Sequence, residues 1–321
     1  MGNAARVEKD ASLESISYGG VTWVDVRNPT RKEIDLLAQD YPFHHLNLDD
    51  CISKIQLTKI DQHDDYLFIL VHFPSYSTEE GDVVSNQISV FLGKDYLVSL
   101  HRGDKRLTEM FEECKSHEAK RQAFMAKSAL LLLYHVLDRL VDDLFPMLDK
   151  VMDYLDEIED KVFDERVSAM LEVNRLRRRI GDLRRIVFPL RRLILDLATN
   201  AQQFTSHDLS AYYSDIKDHI EKAWETLEEA KETIEIYKDT DFSLSAEKSN
   251  KILAVLTIIF TLTIPIVTIG TIYGMNVKLP GGIETGAWTF FGPYTTFLIL
   301  LLAGITPSTL MAWYFRRRGW L

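Results

Sequence analysis

The sequence predicts an α+β domain followed by long helices and two C-terminal membrane-spanning helices. Residues 15–102 mix short runs of β-branched and aromatic residues with turn and helix signals. From Asp104 to Pro265 glycine and proline almost vanish, the exceptions being Pro146, Gly181 and Pro189. Two apolar runs, 252–272 and 294–315, then close the chain. Each has the roughly twenty residues a helix needs to cross hydrocarbon at ~1.5 Å per residue.

In chain order, strands are expected over 21–26, 66–73, 87–92 and 96–100. Thr30 with Glu33 three residues on is a capping box that opens a helix. Gly81-Asp82 and Gly93-Lys94-Asp95 read as turns. Three helical tracts follow, over 120–163, 166–200 and 207–272. The first carries Leu130, Leu133, Leu137, Leu140 and Leu144 at helical steps and then turns acidic, with ten carboxylates between Asp142 and Glu165. The second carries eight arginines between Arg175 and Arg192. The expectation is an antiparallel pair laced by ion pairs and joined by a turn near 163–166. A rival reading is a negative surface that gathers divalent cations. The third tract has no break between its charged part and its apolar end. A helix of roughly 65 residues would be ~100 Å long, so it reads as a stalk that needs partners. The expected divisions are 1–118 (α/β domain), 119–205 (antiparallel helices), 206–251 (stalk), 252–272 (first span), 273–293 (outer loop), 294–315 (second span) and 316–321 (basic tail).

Mean hydropathy is only −0.09, because the charged helices dilute the two spans. Residues 1–20 hold no apolar signal core. Arg316, Arg317 and Arg318 follow the second span, and Lys248 and Lys251 precede the first. Basic flanks stay in the cytoplasm, so both termini are expected inside and 273–293 outside. The net charge of −11 argues against nucleic acid and favours cations as partners. Cys51 and Cys114 stand far apart, without a C-x-x-C, and read as ordinary thiols in a reducing compartment. The chain contains no P-loop, H-E-x-x-H or G-x-S-x-G, so no enzyme is expected. His44-His45 near Asp49-Asp50 invites a metal reading, but the spacing fits no zinc pattern and a loop or helix start is the better one.

Tyr273-Gly274-Met275-Asn276 ends the first span. Glycine permits a turn or a close approach, and asparagine offers a neutral carbonyl oxygen. Such oxygens can accept hydrogen bonds from the water shell of Mg2+, which dehydrates reluctantly. At about 100° per residue, Asn250, Leu253, Thr257, Thr261, Ile264, Thr268 and Thr271 share one stripe. It reads as facing a pore or a partner, or as threonines bonding their own backbone.

Tyr-Gly-Met-Asn after the first of two C-terminal spans, a short outer loop and the tail 314–321 resemble the CorA family of divalent-cation transporters. The likeness extends to 46–50, 140–143 and 212–219 and covers most of the chain. It implies a funnel-shaped homopentamer in the inner cell membrane, with the first spans lining a central pore. It implies Gly274, Met275 and Asn276 as the outer selectivity site. Asn250, Leu253, Leu256 and Ile264 fall on pore positions, with Leu253 and Leu256 as the gate. The stripe and the resemblance differ over Leu256 and Val267 against Thr257 and Thr268, and both sets stay open. Asp50 and Asp215 match the pair that binds regulatory Mg2+ between subunits, with Asp49 and Asp239 as weaker matches. Many members carry Met-Pro-Glu-Leu in the outer loop; here Glu284 is the candidate for the outer negative charge, in a different register. The implied function is channel-like uptake of Mg2+, with Co2+ and Ni2+ as further cargo and intracellular Mg2+ as the gating ligand. The rivals are a Zn2+ transporter of the same superfamily and a non-conducting membrane-anchored scaffold or sensor.

Overall fold

A computed structural model describes residues 12–53, 56–76, 83–164, 167–200, 208–275, 277–282 and 285–320. The chain divides into two units, Met1–Thr240 and Asp241–Leu321.

The first unit opens with a six-stranded mixed sheet. Its strands are β1 (Leu13–Tyr18), β2 (Val21–Arg27), β3 (Lys59–Gln62), β4 (Leu67–Tyr76), β5 (Val83–Leu92) and β6 (Tyr96–His101). They lie in the order β1-β2-β6-β5-β4-β3, and only the β2–β6 pairing in this order is parallel. The four expected strands are present; β1 and β3, short and at the two edges, escaped the sequence reading. β4 is buried on both faces, which is why it reads as a continuous apolar run. Phe68 and Leu70 pack with Val24, Val26, Phe91 and Val98 under α1 (Arg31–Asp40) and α2 (His45–Ile52). Leu67, Ile69, Val71 and Phe73 face the opposite side with Trp23, under α3 (Lys105–Ser116) and the later helices. The Thr30–Glu33 capping box forms, and Gly93 turns the chain between β5 and β6 through its amide to the Tyr96 carbonyl at 2.9 Å. The Gly81-Asp82 turn lies outside the described residues.

The first helical tract is three helices rather than one: α4 (Glu118–Met125), α5 (Ala129–Asp142) and α6 (Phe145–Val162). Ser128 interrupts it by capping α5, its hydroxyl accepting the Leu131 amide at 3.1 Å. Pro146, at the start of α6, cannot continue α5 because it has no amide to donate.

α7 (Met170–Asn200) and the first part of α8 (Ser210–Tyr273) run antiparallel and share one apolar core with α5, α6 and the sheet. On α7 the buried positions are Val173, Leu176, Ile180, Leu183, Val187, Leu190, Leu193, Ile194 and Leu197. Leu209, just before α8, and Tyr213, Ile216, Ile220, Ala223, Leu227, Ala230, Ile234 and Tyr237 on it are buried. Apart from Leu193, both sets alternate steps of three and four, which lines them up as an apolar seam. Flanking the seam, Arg177 bonds Glu235, Arg184 bonds Glu228 and Arg191 bonds Glu221, each pair one heptad from the next and running in opposite directions. The expected antiparallel packing of α6 on α7 is present, with Arg179 over the Tyr154 ring, but the expected lacing of ion pairs is corrected. These arginines meet the glutamates of α8, while Asp149, Asp153, Asp156, Glu157 and Asp160 of α6 stay exposed. Lys161 pairs with Glu172 at 3.4 Å, so the acidic and basic helices do touch near their connection.

The second unit holds the rest of α8 and a helix α9 (Thr295–Arg317), both long and apolar enough to cross a membrane. The two meet where small residues allow it. A Cβ on Gly304 would lie 3.3 Å from the Ile266 Cα, and the Ser308 hydroxyl donates to the Leu262 carbonyl at 2.7 Å.

Candidate cation site and conduit residues

Two pairs of residues, each one helical turn apart, face each other in the first unit. Asp138 and Asp142 lie on α5; Asp215 and His219 lie on α8. One ligand atom from each of Asp138, Asp215 and His219 falls within 4.8 Å of the others. His219 Nδ1 is 3.2 Å from Asp142 Oδ1, and its Nε2 is 3.9 Å from Asp215 Oδ1. Tyr134, a turn before Asp138, donates its hydroxyl to Asp215 Oδ2 at 3.4 Å. Burial, then the charges of Asp142 and Asp215, raise the pKa of Asp138. Burial and the charges of Asp138 and Asp215 push the Tyr134 phenol up to about 12. This is a negative cluster that His219 offsets only in part. A divalent cation would relieve it, three carboxylates supplying the hard oxygen donors that Mg2+ prefers and His219 a nitrogen suited to Co2+, Ni2+ or Zn2+.

Asp50 and Asp215 are not brought together within one chain. Asp50, at the end of α2, pairs with Lys59 Nζ at 2.8 Å and is mostly buried. Asp49 bonds Arg31 at 2.6 Å and is exposed. Asp239 lies 3.4 Å from Lys238 and is exposed. His44 caps α2, its Nδ1 accepting the Leu46 amide at 3.3 Å, so the helix-start reading of His44-His45 holds. Cys51 and Cys114 are buried thiols, pushed up to about 12 by burial, and play the bland part expected of them.

In the second unit the surface of α8 is asymmetric. Ile258, Thr261, Leu262, Pro265, Ile269 and Tyr273 are half-covered, on the side where Ser308 meets Leu262. Asn250, Leu253, Leu256, Ile264, Thr268 and Thr271 are exposed, as are Thr257 and Val267. Thr261, a member of the sequence stripe, therefore lies off the open face. The hydroxyls of Thr257, Thr261 and Thr271 donate to the carbonyls four residues back, each at 2.7 Å, so these threonines do bond their own backbone. α8 ends at Tyr273, whose hydroxyl bonds the Pro280 carbonyl at 3.1 Å. Gly274 donates to the Gly270 carbonyl at 2.9 Å, and a Cβ there would crowd that oxygen at 3.1 Å, so glycine serves close approach. Met275 is exposed. Asn276 and Glu284 lie outside the described residues.

Residues 18–317 match the family model described as CorA-like Mg2+ transporter protein. The chain belongs to the CorA-like Mg2+ transporter family. It is 28% identical to YfjQ of Bacillus subtilis over 97% of this chain and 94% of that one. It is 25% identical to the cobalt/magnesium transport protein CorA of Thermotoga maritima, over 94% of this chain and 83% of that one. The fold matches the complete structure of the CorA magnesium transporter from Methanocaldococcus jannaschii with a TM-score of 0.76, at 20% identity over 95% of this chain and 94% of that one. CorA membership makes the chain a divalent-cation transporter with two candidate membrane spans. Among its residues, Asp138 was missed as a partner of Asp215. The signal was present in the sequence: Asp138 and Asp142, like Asp215 and His219, are spaced to share a helix face.

Proposed function

We propose that five copies of this chain form a conduit that carries Mg2+ into the cytoplasm across the inner cell membrane, with Co2+ and Ni2+ as further cargo. The observation that carries this is the one-sided covering of α8. In a chain of this family, Leu253, Leu256, Ile264, Thr268 and Thr271 remain uncovered by the chain's own second span. Five such faces meeting on an axis would enclose a pore. Leu253 and Leu256 would close it by excluding water, and Gly274, Met275 and Asn276 would meet the hydrated ion outside, near Glu284. The basic flanks support an orientation with both termini inside. Asp50 of one subunit and Asp215 of the next, aided by Asp49 and Asp239, would hold regulatory Mg2+ that keeps the ring closed. The Asp138 and Asp142 carboxylates beside Asp215 add to that negative site. When internal Mg2+ falls, repulsion loosens the ring. The shift is limited to the difference in ion affinity between the two states.

The test is ion-resolved uptake into proteoliposomes. Wild type is expected to take up Mg2+ without a pH gradient, and Asn276→Ala to lose selective flux. Normal selective flux in Asn276→Ala removes it from the filter. Zn2+ uptake driven by a pH gradient would favour a zinc transporter, and no flux from ring-shaped oligomers would favour a scaffold.

A further inference from the structure

Both spans carry an internal proline, Pro265 in α8 and Pro307 in α9. Proline has no amide, so the carbonyls of Thr261 and Ala303 each lose their donor four residues on. Here the contacts between the spans align them. Leu262 of α8 meets Ser308 of α9, and Ile266 meets Gly304. Pro265 thus lies within one contacting turn and Pro307 within the other. The Ser308 hydroxyl is 2.7 Å from the Leu262 carbonyl and 3.2 Å from the Gly304 carbonyl of its own helix. It has one proton, and the shorter contact crosses between the spans. That bond falls on the Leu262 carbonyl, next to the Thr261 carbonyl that Pro265 leaves without its donor. The missing side chain of Gly304 lets the two backbones approach closely enough for it.

We propose that these two turns form one hinge, with Ser308 as the positioning residue that splints α8 at Pro265. The hinge lies between Leu253 and Leu256 on one side and Thr268 and Thr271 on the other. A change of angle there moves one half of the exposed α8 face relative to the other half. The span that does not line the conduit therefore takes part in setting its width. This rests on the transport reading above, which wild-type flux tests by itself.

The experiment uses the full chain in liposomes, with Mg2+ influx and amide exchange of 262–268 read in parallel. Ser308→Ala is expected to change initial influx about five-fold and to speed exchange in that segment about five-fold, the scale of one hydrogen bond between membrane helices. Ser308→Thr, which keeps the hydroxyl, is expected to restore both. Pro265→Ala and Pro307→Ala return backbone donors and are expected to act non-additively when combined. Wild-type values in Ser308→Ala, equal loss in the alanine and threonine variants, or a double proline variant equal to the product of its singles would each overturn the hinge. If Ser308→Ala does not assemble, Pro307→Ala decides: slower exchange in 262–268 of the facing span supports the hinge, and unchanged exchange overturns it. If wild type carries no divalent cation, the transport reading fails, and the exchange measurements still judge the contact.

Discussion

Asp138 shows how one side chain records what its surroundings lack. Burial and two neighbouring carboxylates raise its pKa, so its charge opposes folding at neutral pH. Asp138→Asn is expected to raise the thermal midpoint of the cation-free protein by about 2 °C and to shrink the further rise caused by Mg2+. An undiminished Mg2+ response would place the ion elsewhere. Glu33 is the opposite case. The hydroxyls of Ser12 and Thr30 hold its carboxyl down at about 2, from an ordinary 4.5. A depressed carboxyl stabilises the fold above 4.5, and that contribution is lost as pH falls from 4.5 through 2. Glu33→Gln should flatten the acid limb of the stability profile in that window. An acid limb matching wild type would show that the cap carries no pH-linked stability. A further buried network, Asp25 with Ser99 at 2.7 Å and His101 at 3.2 Å, joins β2 to β6 and satisfies a carboxylate that would be costly alone.

At the scale of elements, the apolar seam between α7 and α8 sets which arginine meets which glutamate. The Arg184 guanidinium also lies 5.3 Å over the Trp224 ring. Arg184→Glu or Glu228→Arg alone should each lower stability by about 1 kcal/mol, since the pair is partly exposed. The double exchange should recover about half of the combined loss, the remainder reflecting the lost contact with Trp224. Strictly additive losses in thermal unfolding of the full chain would mean the pair does not couple the helices. The ladder matters because α8 runs without a break from this seam into the first candidate span.

For the whole molecule, the proposed regulation is a balance of repulsions. The chain carries a net charge of −11, and copies gathered in a ring would repel unless cations bridge them. Asp50→Ala with Asp215→Ala is expected to leave transport at least about three-fold less sensitive to internal Mg2+, a coupling within the usual range. Unchanged inhibition would count against both residues as regulatory ligands. Lys59, already on Asp50 at 2.8 Å, must yield to an incoming ion, so Lys59→Met belongs in the same series.

What the residues alone determined about this protein follows from local rules. The apolar runs set the two candidate spans, the Thr30–Glu33 spacing set a helix start, and Tyr273-Gly274-Met275-Asn276 pointed to the family. These signals lie in adjacent residues or at fixed helical spacing, so they need no partner to be legible. What only the tertiary structure decided were the pairings between distant segments. Counting charges put the arginines of α7 against the acidic α6, whereas the alternating apolar steps of three and four turn them toward α8. Asp138 gained significance only when α5 placed it across from Asp215, and Thr261 left the open face only when α9 covered that side of the helix. Partner choice depends on which faces are buried together, and the free energy of that burial belongs to the assembled layers rather than to either segment.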